Sequence, residues 1–168
     1  MSSRASGPVE RPMNVFKNSA QSLTGDVLSD VERRLGFRLP DDIRRQYLVC
    51  NGGIPEKRYY LTKQRIELGV TRFLPSRYRT SPRSRTLEEV VESLVHEKKL
   101  IPEHLLPFAE NDGGDFYCLD RRDQSVVYYT MDDCLEPTIA AKRVADSLPK
   151  FINEMVTEEE AARRRYGA

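Results

Sequence analysis

Two short runs of aromatic and branched residues, Phe116-Tyr117-Cys118-Leu119 and Val126-Val127-Tyr128-Tyr129, stand close together with the charged stretch Arg121–Gln124 between them. Such side chains favour a pleated, half-buried backbone, and a polar interruption of this length reverses the chain. The pattern predicts a hairpin with strands over Asp115–Asp120 and Ser125–Met131. Any fold open to this chain must therefore build a sheet around that hairpin. A further strand is predicted over Leu105–Ala109 and a short one near Thr138–Ala141.

Helical signals flank the sheet. Val27, Val31 and Leu35 recur at helical spacing, with Leu28 widening the stripe, and predict a helix over Asp26–Leu35. Thr24 or Asp26 is placed to cap it, and Gly36 to close it in the left-handed conformation. Leu39-Pro40 opens a second helix with Pro40 in its first position, Asp41 and Asp42 beside the positive end of the dipole, and Ile43, Tyr47 and Cys50 on one face. Asn51-Gly52-Gly53 ends it. Arg58–Leu61 and Arg65–Phe73 alternate as strands do, while Pro75, Pro82 and several serines imply loop. Thr86 and Glu89 have capping-box spacing ahead of a helix over Leu87–Glu97. A last helix is predicted over Leu148–Val156, with Ser147 as its cap and Pro149 in its first turn. Thr157 and Glu160 repeat the capping spacing in the tail, which reads as a frayed helix.

This order predicts an α+β fold with one domain, an antiparallel sheet packed by N-terminal helices, one middle helix and a C-terminal helix. Residues 1–25 read as a flexible N-terminal arm, 26–156 as the domain and 157–168 as a charged C-terminal tail. The length of 168 residues suffices for one sizeable core. A charged fraction of 32% at a net charge of +1 describes a heavily charged surface without polyelectrolyte character, so nucleic-acid binding would have to come from a local patch. The N-terminal stretch holds no apolar run suited to a signal peptide or a membrane span, and the three widely spaced cysteines (Cys50, Cys118, Cys134) read as free thiols of a cytoplasmic protein.

Catalytic patterns are missing from the sequence. His96-Glu97 begins a zinc-protease helix, but Leu100 stands where the second histidine belongs. His96 and His104 cannot fill a three-ligand zinc site, and both read as structural. Asp112-Gly113-Gly114-Asp115 lacks the alternating oxygens of a calcium loop. There is no phosphate-binding glycine loop and no nucleophile elbow. The chain reads as a non-enzyme with no catalytic residue, no metal and no cofactor.

Two stretches together resemble the SUKH superfamily. The first runs from Gly36-Phe37-Arg38-Leu39-Pro40 to Asn51-Gly52-Gly53. The second is Leu106-Pro107-Phe108-Ala109-Glu110, then Asn111-Asp112-Gly113-Gly114-Asp115-Phe116-Tyr117-Cys118-Leu119-Asp120, with Val126-Val127-Tyr128-Tyr129 beyond. The helix before Asn51 is less aromatic than the family's usual pattern, and Met131-Asp132-Asp133 replaces an aromatic-Asp pair. The resemblance implies a domain without known catalysis. Many bacterial members are immunity proteins that neutralise polymorphic toxins, often nucleases, by direct binding, whereas fungal members resemble regulatory scaffolds. The motif residues themselves read as scaffold: the glycines permit positive φ, and Asp120 accepts hydrogen bonds in the hairpin turn.

Charge is segregated along the chain. Ile54–Thr86 holds nine Lys or Arg against Glu56 and Glu67, and Glu103–Glu136 holds nine acids against Arg121 and Arg122. These segments either face each other, stand solvated, or steer a charged partner. Under the steering reading, Glu110, Asp112, Asp115, Asp132, Asp133 and Glu136 attract the basic cleft of a toxin. Arg77, Tyr78 and Arg79 form a second candidate contact, equally suited to an interface hot spot or to a nucleic acid. The expected partner is a cognate toxin protein, bound so that its active site is occluded. A regulatory protein-interaction scaffold is the alternative, and a nucleic-acid-binding module the weaker third. The oligomeric state is not legible.

Overall fold

The computed structural model describes residues 14–167. In chain order the elements are β1 (Phe16–Lys17), α1 (Gly25–Leu35), α2 (Asp41–Val49), β2 (Ile54–Pro55), β3 (Tyr59–Leu61), β4 (Glu67–Gly69), β5 (Arg72–Phe73) and α3 (Leu87–Val90), which continues as a π-helix over Val91–Glu97. There follow β6 (Leu105–Glu110), β7 (Phe116–Asp120), β8 (Val126–Tyr129), a 3-10 turn (Met131–Asp133), α4 (Pro137–Ala140), β9 (Ala141–Ala145), α5 (Leu148–Glu154) and α6 (Glu158–Arg165). The main sheet is antiparallel in the order β5-β6-β7-β8-β9, and β1–β2 and β3–β4 form two small ribbons. This is the α+β architecture expected from the sequence.

The β7–β8 hairpin lies at the middle of the sheet, with Phe116 opposite Tyr129 and Leu119 opposite Val126. Every residue of β7 is buried, so both faces are covered. On one face Tyr117 and Phe108 pack on Phe151 of α5, and the Tyr117 hydroxyl donates to the Gly69 carbonyl at 2.7 Å, tying down the β3–β4 ribbon. On the other, the Tyr129 hydroxyl reaches the Leu100 carbonyl, in the segment after the π-helix.

The helix ends follow local chemistry. Thr24 accepts from the Val27 amide, and Gly36 closes α1 at φ 83°. Thr86, Ser147 and Thr157 accept from the amides three residues on, which starts α3, α5 and α6.

Several expectations are corrected. Pro40 is the N-cap of α2 and not its first helical residue, and Cys50 lies beyond the helix in extended backbone, half-buried. The middle helix spans the expected residues but widens after its first turn. Its buried apolar residues, Leu87, Val91 and Val95 with Val90 and Leu94, are spaced by four, which a wider turn keeps on one side. Thr138–Ala140 is not strand. Pro137 sets a helical first turn, and the strand begins at Ala141, where Lys142 and Arg143 are tolerated because β9 is an edge. Residues 1–13 of the expected arm lie outside the described residues. Within residues 14–25, β1 pairs with β2, Phe16 packs edge-on against Phe73, and Leu23 is buried.

Candidate functional site

The loops at one end of the sheet are held by buried polar residues. Asn51 donates to the carbonyls of Gln21 and Ser76 and accepts from the Ser76 amide at 2.7 Å. Glu88, 2% exposed, accepts from the Ser76 hydroxyl and from the Arg77 amide at 2.9 Å. Tyr47 donates to the Leu74 carbonyl, and burial, reinforced by Glu88, raises its phenol well above its ordinary range. Together these groups fix the Leu74–Arg77 turn, with Arg77 at φ 64°. The Asn51-Gly52-Gly53 motif is thus a clamp for this loop as well as a helix stop.

A second, half-buried network shapes the neighbouring loop. Asp115 accepts from the Tyr128 hydroxyl at 2.8 Å and from the Met131 amide at 2.8 Å. Asn111 donates to the same hydroxyl at 2.9 Å and accepts from the Asp115 amide. Burial and the Asp115 carboxylate push the Tyr128 phenol up to about 12, so it remains a donor at neutral pH. Tyr129 ties the far side by donating to the Leu100 and Cys134 carbonyls. Between these anchors the chain from Met131 to Ile139 forms a short protrusion.

That protrusion exposes large apolar side chains beside carboxylates. Leu135 is 84% exposed and Ile139 51% exposed. Asp132, Asp133 and Glu136 are exposed around them and meet no cation among the described residues. Two solvated aliphatic groups within an acidic rim have the anatomy of a protein-binding surface, an apolar centre with a polar margin.

The other candidate residues are distributed differently. Glu110 is paired with Arg72 and Arg85, both at 3.4 Å, and Asp112 accepts from Thr71 at 2.7 Å. At this edge the basic and acidic segments face each other. Asp115 is an internal anchor. Arg79 forms a two-pronged pair with Glu89, at 3.1 and 2.8 Å, and Tyr78 is half-buried against the core. Arg77 is exposed, with no carboxylate on its guanidinium among the described residues. The structure therefore brings Asp132, Asp133 and Glu136 together and leaves Arg77 on a separate loop. Leu135 and Ile139 were missed in the sequence because they carry no alternation or helical period; their exposure is the only signal.

Among the described residues no cluster of three or more His, Cys, Asp or Glu could hold a metal ion, and no helix is long and apolar enough to cross a membrane. His96 is exposed on the π-helix, and His104 receives the Arg121 amide on its carbonyl at 2.7 Å.

No curated protein matches the chain. The profile of one family spans residues 22–154, from the residue before Leu23 to the last residue of α5. It therefore takes in the Asn51 clamp, the central hairpin and the acidic protrusion. With most of the sequence covered, the chain belongs to the SMI1 / KNR4 family (SUKH-1).

Proposed function

We propose that this protein is a cytoplasmic immunity protein that binds a cognate bacterial toxin and occludes its active site, without catalysis of its own. The observation that carries the reading is the Met131–Ile139 protrusion, where Leu135 and Ile139 stand in solvent beside three exposed carboxylates that form no ion pair among the described residues. Family membership supports it, since the SUKH resemblance implies neutralisation by direct binding. The two aliphatic side chains supply the desolvated centre of the contact. Asp132, Asp133 and Glu136 complement a cationic cleft, the kind of surface by which nucleases hold phosphates. Complementary fields of this kind raise association rates by roughly 10–1000-fold at low salt.

The test is co-expression with the toxin encoded beside this gene. The wild-type chain is expected to restore growth and to co-elute with the toxin in size exclusion. A Leu135→Asp/Ile139→Asp variant that folds normally is expected to do neither. Failure of the wild-type chain to protect the cell would remove the assignment.

A further inference from the structure

We propose that the groove between the β3–β4 ribbon and β9 takes an extended, acidic peptide segment of a partner protein, which adds to β9 as a further strand of the main sheet. The proposal concerns a surface apart from the acidic protrusion and stands or falls independently of toxin binding.

The two ends of the main sheet differ. At β5 the outer side is closed: Gly53 and Phe73 exchange backbone hydrogen bonds of 3.0 and 2.8 Å. At β9 no strand follows among the described residues. The orientation of its backbone comes from the ladder. Thr130 donates to the Ala140 carbonyl at 3.1 Å, and β8 and β9 pair Tyr128 with Lys142 and Val127 with Arg143. Since bonding pairs alternate along antiparallel strands, the Lys142 groups face β8 and the N–H and C=O of Arg143 face outward. They form a short template for strand addition.

The groove beside this edge measures about 530 Å³. Tyr60 spans it, donating to the Val144 carbonyl at 2.9 Å and to Glu154 at 3.1 Å. Leu61, Ile66, Leu68 and Tyr128 give it an apolar lining, with Ile66 57% exposed. Four cations, Lys63, Lys142, Arg143 and Lys150, line it against two carboxylates. Both carboxylates are engaged: Asp146 by Arg143 at 3.1 Å and Lys150 at 3.7 Å, Glu154 by Tyr60. Lys63 and Lys142 meet no carboxylate among the described residues.

These features select the occupant. Basic residues on an edge repel a second copy of the same edge, so self-addition is disfavoured while an acidic strand is attracted. Alternate side chains of an added strand face the groove, so acids at those positions meet Lys63 and Lys142 with their methylene stems against Ile66 and Leu68. A nucleic-acid strand offers no amide ladder to Arg143, and Asp146 and Glu154 oppose a continuous run of phosphates.

The test is a titration of the ¹⁵N-labelled full chain, at low salt, with a capped heptapeptide alternating glutamate and valine, followed by amide chemical shifts. Shifts are expected over Ala141–Ala145 and Tyr60–Leu68, with slowed hydrogen exchange at the Arg143 amide. A Lys63→Glu/Lys142→Glu variant should bind about tenfold more weakly at unchanged melting temperature. A peptide N-methylated at alternate amides should lose binding. The proposal is overturned if the peptide causes no shifts at millimolar concentration or shifts confined elsewhere, or if the N-methylated peptide binds equally well. Binding by a single-stranded oligonucleotide but not by the peptide would also overturn it.

Discussion

A Cβ built on Gly52 would stand 2.6 Å from the Pro75 nitrogen and 2.8 Å from the Phe73 carbonyl oxygen, backbone atoms that cannot swing aside. Gly52 also sits at φ 67°, where an L side chain is strained. Gly52→Ala is therefore expected to lower unfolding stability by about 3 kcal/mol, overpacking and strain combined. Gly114→Ala carries a similar φ of 85° with open space around it, so strain alone gives about 1 kcal/mol. Urea titration of both variants checks the ratio. Asp120 supplies a pH signature. Its carboxylate accepts from the Arg122 side chain at 2.8 and 3.0 Å and from the Arg122 amide, which holds it below the usual carboxylate range. A depressed folded value means that the unfolded chain binds the proton more readily. The stabilisation is then present above the unfolded value of about 4 and fades as pH falls through the lower folded value. Asp120→Asn should cost about 1 kcal/mol at pH 7, a modest figure because Arg122 is solvated, and the gap to wild type should shrink toward pH 3. The role of Asp120 in the turn was legible because its chemistry is local. The partners of Asn51 and Gly52 were not, because Pro75 and Ser76 lie far along the chain and no periodic pattern links them.

Among the elements, the hairpin and the capped helices were legible, since each depends on neighbouring residues. The π-helical stretch and the start of β9 were not. Both are set by tertiary packing: the first by core residues spaced by four, the second by an edge position that admits Lys142 and Arg143. The Met131–Ile139 protrusion was legible only through its charges. Its anchoring separates scaffold from contact in a way that mutation can read. Asp115→Ala removes the acceptor of the Tyr128 hydroxyl and the Met131 amide and should lower stability by about 2 kcal/mol. Asp132 is exposed and its side chain makes no hydrogen bond or ion pair among the described residues, so Asp132→Ala should change stability by less than about 0.5 kcal/mol. Thermal unfolding of the pair decides the matter. Tyr129→Phe leaves the Leu100 and Cys134 carbonyls without their donor, so exchange of the backbone amides of Cys134–Glu136 should quicken while the core amides keep their protection.

Among the described residues, the basic and acidic segments of the sequence meet at the β5–β6 edge. Glu110 sits between Arg72 and Arg85, whereas the carboxylates of the protrusion meet no cation among the described residues. The segregation seen in the sequence thus resolves into an internal seam and an outward-facing field, a division that only the sheet order could reveal. The outward field should act on encounter more than on dissociation. Raising salt from about 50 to 500 mM is expected to slow association with a cationic toxin by tenfold or more and to leave dissociation nearly unchanged, as stopped-flow mixing can show. The apolar centre should act on the bound state. The most direct measurement is the calorimetric Kd of the purified toxin for the wild-type chain and for Leu135→Ala/Ile139→Ala. A protrusion that forms the contact predicts binding about a hundredfold weaker in the variant at unchanged folding stability. Equal Kd values for the two proteins would contradict it.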